Sequence, residues 1–182
     1  MRRAFFKFVF RLWGWRIAGQ LPKEKKYVIV VAPHTSNTDF FVGVCVKYIL
    51  HNFKPRFLAK NSLFKIPLVG WFLKSIGGYP VDRSKKMKLV DQIVEIFERE
   101  EEFIMTITPE GTRSYVEKWK TGFYFVALKA NVPIMMSGFD YEHKVVELKE
   151  VFYPSGDVDK DVEKMMAYFR GIKGKYPEKG VK

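Results

Sequence analysis

The sequence predicts a single α/β domain: a mostly parallel central sheet flanked by helices, preceded by an N-terminal amphipathic helix. Three observations carry this prediction. Short apolar runs rich in valine, isoleucine and methionine recur at residues 27–32, 103–108 and 132–139, each suited to a strand buried on both faces. Segments with apolar residues at helical spacing lie between them, and such alternation implies parallel strands joined by crossover helices. The 182 residues, 47% of them apolar, suit one sizeable core.

Residues 1–20 form the first element. Arg2-Arg3 followed by AFFKFVFRLWGW superficially resembles the start of a signal peptide, but Lys7 and Arg11 interrupt the apolar run. A spanning helix needs about 20 nearly uninterrupted apolar residues. On a helical projection Arg3, Lys7, Arg11 and Gly14 line one narrow stripe, while Phe5, Phe8, Leu12 and Trp13 belong to a wide aromatic remainder. Such a helix suits the lipid headgroup region, with cations on anionic phosphates. The alternative is a helix packed on the protein's own core.

The domain proper is expected over residues 21–175. YVIVVA (27–32) reads as a buried strand ended by Pro33, and a helix follows over 38–50 with Ser36 or Asn37 as cap. RFLA (56–59) reads as a second strand. Pro67 and Gly70 break the apolar stretch after it into short helical pieces. Residues 77–81 turn into an edge strand. Ser84 caps a helix to about residue 101, with Val90, Ile93, Val94 and Phe97 at helical spacing. A strand at 103–108, a helix at 122–130, a strand through 132–139, a hairpin-like segment at 144–153 and a helix over 159–172 complete the domain. Residues 176–182 read as a polar, frayed tail. No second hydrophobic anchor beyond the first helix is expected.

Charge narrows the partners. Lysine and arginine number 32 against 20 acidic residues, a net +12 that points to phosphate, nucleic acid or acidic lipid. Nucleic acid fits less well, because most aromatics sit in the first helix or in apolar runs rather than among arginines on a readable strand surface. Three scattered histidines give no zinc spacing, so no metal is implied. The single Cys45 excludes an internal disulfide, suits a reducing cytoplasmic setting and, between Val44 and Val46, reads as a core thiol rather than a nucleophile. His51 and His143 show no partner pattern, and no Gly-x-Ser-x-Gly elbow is present.

Three stretches carry candidate chemistry. His34 to Asp39 (HTSNTD) lies where a buried strand ends and a helix begins, the position where α/β sheets form sites. Asp39 can reach back to hold one ring nitrogen of His34 as a donor, leaving the other free to accept a proton. The competing reading is a histidine at a helix start with an aspartate in the first turn, favoured by the helix dipole. GGYPVDRS (77–84) permits a tight turn and presents Arg83 as a bidentate phosphate fork, or is an ordinary strand-to-helix turn. TPEGTRS (108–114) follows an apolar strand. Gly111 lets backbone approach a ligand, Arg113 supplies a second fork, and Glu110 can orient an arginine or accept from a substrate hydroxyl; the bland alternative is a loop with one ion pair.

Together these stretches resemble the glycerolipid acyltransferase family that includes lysophosphatidic acid acyltransferases. HTSNTD resembles its histidine, four residues, aspartate motif; GGYPVDR its second block; PEGTRS its third; and Val132-Pro133-Ile134 its fourth, in the same order. The resemblance runs from about residue 28 to 134. It implies His34 as general base, Asp39 as its orienter, Arg83 and Arg113 on the acceptor phosphate, Glu110, Gly111 and Thr112 shaping the acceptor site, and Lys60 as a further phosphate contact. Acyl-CoA or acyl carrier protein would donate to a lysophospholipid hydroxyl, with no cofactor, at the cytoplasmic face of the cell membrane as a peripheral or monotopic protein on anionic lipid. Thr35 and Thr108 depart from residues common in the family without removing a chemical role. The rival expectations are a basic nucleic-acid-binding module and a non-catalytic lipid-binding scaffold.

Overall fold

A computed structural model describes residues 2–82 and 86–182. Seven strands form one sheet in the order β1-β7-β6-β2-β5-β3-β4, where β1 is Arg16–Gly19, β2 Lys26–Ala32, β3 Pro55–Lys60, β4 Gly78–Val81, β5 Phe103–Ile107, β6 Ile134–Asp140 and β7 Val145–Leu148. Strands β6, β2, β5, β3 and β4 run parallel; β7 is antiparallel to β6, and β1 runs parallel to β7. The expected single α/β domain with a mostly parallel sheet is what the chain forms.

Helices cover both faces, which explains why the central strands are apolar throughout. Val28, Val30 and Ala32 of β2 pack with α5 (Lys86–Arg99), α6 (Gly122–Lys129) and α7 (Val158–Arg170) through Phe97, Tyr124 and Phe169. The alternate residues Tyr27, Ile29 and Val31 meet α1 (Arg2–Leu12) and α2 (Thr38–Ile49) through Phe10, Val42 and Val46. Cys45 is buried in this second cluster. A strand buried on both faces cannot alternate polar and apolar residues. The segment after β3 splits as Pro67 and Gly70 require, into α3 (Asn61–Phe64) and α4 (Pro67–Ile76).

Two expectations are corrected at the termini. The first element is not helical to residue 20: α1 stops at Leu12, Trp15 is buried, and Arg16–Gly19 adds a strand to the sheet edge beside β7. α1 both packs and faces outward. Phe6 stacks on Tyr48 of α2 at 4.5 Å and Phe10 is buried, while Phe5, Phe8 and Leu12 stay exposed. Residues 176–182 are not a frayed tail. Gly174 lies against Pro33 and Thr35 so closely that a Cβ there would sit 2.8 Å from Thr35 Oγ1, and a 3₁₀ turn (Pro177–Lys179) leads to buried Gly180. Gly174 makes its contact through backbone, and Val181 packs its side chain against the core cluster that includes Tyr124 and Phe169. Ser84, the expected cap of α5, lies outside the described residues.

Candidate active site

His34 follows β2 directly after Pro33, and Asp39 is the second residue of α2, so the HTSNTD segment bridges the carboxyl end of a central strand and a helix start. Asp39, only 3% exposed, is enclosed by donors. Its Oδ2 accepts the backbone N–H groups of Thr35 and Ser36, each at 3.0 Å, and lies 2.9 Å from His34 Nδ1. Its Oδ1 accepts from the Tyr141 hydroxyl at 2.6 Å. Oδ2 already accepts from two backbone N–H groups, so Nδ1 meets it as a donor, and in the neutral ring Nε2 then keeps its lone pair. The His34 side chain retains 24% exposure, enough to meet a substrate.

Of the two expected caps, Ser36 meets the first N–H of α2. Asn37 makes no capping bond through its side chain, and Ser36 Oγ instead accepts from Thr38 N at 3.1 Å. Both expectations for this segment therefore coexist: Asp39 stabilises the turn into α2 and fixes the ring of His34.

Glu110 enters the same corner from the β5 side. Both carboxylate oxygens face the His34 backbone N–H, at 3.0 and 3.1 Å. Burial raises its carboxyl from the ordinary 4.5 to about 7, opposed by the His34 N–H and reinforced by nearby Asp39. Glu110 thus meets the histidine backbone, where an arginine or a substrate hydroxyl was expected. The loop beyond it points outward. Gly111, with φ of +65°, turns the chain, and a Cβ there would lie 2.5 Å from Lys120 Nζ, so the Lys120 side chain crosses over this glycine. Thr112 and Arg113 are exposed, and Thr112 Oγ1 accepts from Ser114 N at 3.4 Å. Lys60 ends β3, exposed and two strands from His34 in the sheet order. Arg83 lies outside the described residues.

Three contributors escaped sequence reasoning. Tyr141 closes the corner from the end of β6, 102 residues from Asp39; burial and its donation to Asp39 hold its phenol far above the ordinary value, so it remains a donor. Its ring packs edge-on against Trp15 at 4.9 Å. Lys175 donates to Thr38 Oγ1 at 2.8 Å, and Tyr176 N to Thr35 Oγ1 at 3.2 Å, so the C-terminal segment braces the turn between His34 and Asp39. A cleft of about 370 Å³ opens beside these groups, lined by Trp13, Trp15, Thr38, Tyr141, Lys144 and Lys175. His143, which shows no partner pattern in the sequence, stands exposed in the β6–β7 turn and bonds Asp140 at 2.6 Å, which raises its pKa.

A sheet of this topology with a carboxylate-held histidine at the carboxyl edge of a central strand defines an α/β protein with a candidate acid–base site. The acyltransferase family's profile matches residues 16–137, well over half the sequence, and the chain belongs to that family. It is 30% identical over 129 aligned positions to a 1-acyl-sn-glycerol-3-phosphate acyltransferase of Saccharomyces cerevisiae, which covers 66% of this chain and 41% of the yeast protein. A chloroplastic enzyme of the same name from Arabidopsis thaliana is 29% identical over 155 positions, covering 75% of this chain and 42% of its own length. One from Streptococcus pneumoniae is 26% identical over 120 positions, covering 64% and 42%. The chain therefore spans about two-fifths of the length of these relatives.

Proposed function

We propose that the protein is an O-acyltransferase that moves a fatty acyl group from acyl-CoA or acyl carrier protein to the hydroxyl of a lysophospholipid, 1-acyl-glycerol-3-phosphate first among them. The observation that carries this reading is the 2.9 Å contact between Asp39 and His34 Nδ1, which leaves Nε2 as a base. The names of the relatives support the acceptor. Nε2 takes the acceptor's proton as its oxygen attacks the thioester carbonyl; the C–S bond breaks, and the departing thiolate receives the proton from the imidazolium. Asp39, held by three further donors, stabilises that imidazolium. General-base assistance contributes about 10²–10⁴-fold, and positioning and backbone donors to the oxyanion supply the rest. The thioester already carries an activated acyl group, so the step requires no metal or redox cofactor.

Arg113 is the phosphate anchor in this reading, with Arg83 and Lys60 as further cations. Arg113 stands exposed on the loop whose first residues hold His34, so a phosphate it binds lies within one short loop of the base. The exposed Phe5, Phe8 and Leu12 of α1, interleaved with Arg2, Arg3, Lys7 and Arg11, suit an anionic bilayer at the cytoplasmic face of the membrane. Among the described residues no helix is long and apolar enough to cross a membrane. A panel of lysolipid acceptors with labelled acyl-CoA or acyl carrier protein, resolved by product mass, tests the assignment. Phosphate-bearing diacyl products are expected; acylation confined to acceptors lacking phosphate would remove the role given to Arg113.

A further inference from the structure

The large apolar side chains left exposed are distributed unevenly. Seventeen are exposed among the described residues, and twelve of them belong to α1, α2, α3, α4 or their connecting residues. α4 is the extreme case: of its ten residues only Gly70 is buried, while Leu68 is 82% and Trp71 72% exposed. A helix of this apolarity ordinarily turns a stripe into the core. Here α3 and α4 turn it outward, with Leu63, Ile66 and Phe72 extending the same surface.

These helices share one side of the sheet. α1 and α2 pack together over Ile29 and Val31. α2 reaches the end of α4 where Lys47 donates to the Ser75 carbonyl at 3.1 Å, and the right-handed β3–α3–α4–β4 crossover continues in the direction of β2–α2–β3, which keeps it on the same side. Phe40 and Phe41, also exposed, directly follow Asp39, so this apolar side borders the catalytic corner.

Charge selects the occupant. Residues 1–20 and 38–76 contain eleven lysines and arginines and a single acidic residue, the buried Asp39. A second copy of this surface would meet its own positive charge, whereas an anionic bilayer offers both hydrocarbon and opposite charge. We infer that α3–α4, led by Leu68 and Trp71, is a second membrane-docking element, which together with α1 seats this side of the sheet on an anionic phospholipid surface and holds the His34 corner at the interface. This extends the bilayer reading of α1 proposed above, and rests on it.

Co-sedimentation of the full chain with phosphatidylcholine vesicles, with and without phosphatidylglycerol, tests this. The variants are Leu68→Ser with Trp71→Ser on α4, and Phe5→Ser with Phe8→Ser on α1. Both pairs are exposed, so melting temperatures should match the parent protein. The α4 pair is expected to weaken binding to anionic vesicles by about tenfold or more while leaving turnover of a short-chain, monomerically dispersed acceptor unchanged. Undiminished binding by the α4 variant, with loss in the α1 variant, overturns the α4 element and leaves the α1 reading standing. Failure of the parent protein to bind anionic vesicles overturns both. A lipid-free oligomer that dissociates only in the α4 variant overturns the bilayer as occupant in favour of a second copy.

Discussion

The corner around Asp39 and the loop from Gly111 to Arg113 both carry residues marked by the sequence, yet they are built in opposite ways. Every oxygen of Asp39 is engaged by a donor, and the histidine it orients is pinned again through its own N–H by Glu110. Thr112 and Arg113 stand in water. Groups that move protons gain from geometry fixed before substrate arrives, because orientation is then not a cost of the reaction. Groups that bind a mobile anionic headgroup are ordered by the ligand itself and contribute mainly to affinity.

Breaking the two regions should therefore separate kcat from KM. Asp39→Asn puts an amide where Thr35 N, Ser36 N and Nδ1 donate, and is expected to lower kcat by about 10²–10⁴-fold in steady-state assays with little change in KM. Arg113→Ala should do the reverse, raising the acceptor KM by roughly tenfold or more at nearly constant kcat, since a charge-assisted contact contributes about 1.5–3 kcal/mol. Tyr141→Phe removes one of four donors to Asp39. A several-fold fall in kcat is expected, with acceptor KM unmoved; an unchanged kcat would make Tyr141 a packing residue only.

Glu110 sharpens the comparison through stability. Its carboxyl titrates near 7 in the folded protein against 4.5 ordinarily, so between those values the native state holds the extra proton. Stability from this group is greatest at low pH and declines as pH rises toward 7, by about 3 kcal/mol at the limit set by the shift. Thermal melts from pH 5 to 8 should show that decline, and Glu110→Gln should flatten it. A wild-type melting temperature that rises over this interval would contradict the buried-carboxyl account.

Much of the sheet was legible because β2, β5 and β6 are buried on both faces and therefore read as continuous apolar runs. β1 was not: RIAG is four residues at a sheet edge, and its partner β7 lies far along the chain. His34 and Asp39 were legible because only four residues separate them. Tyr141, Lys175 and Gly174 reach the same corner only through the tertiary fold, and a lone tyrosine or glycine in a loop carries no local mark of that approach. The outward apolar surface of α4 was hidden for a related reason, since an apolar helix gives no sign in sequence of whether it faces core or surface.

Acyl transfer to lysophosphatidate by purified His34→Ala, measured as kcat beside the parent protein at matched melting temperature, bears most directly on the central claim. The geometry predicts a loss of at least about 10²-fold from removal of the base. Transfer by the variant at the parent rate would contradict His34 as the group that takes the proton.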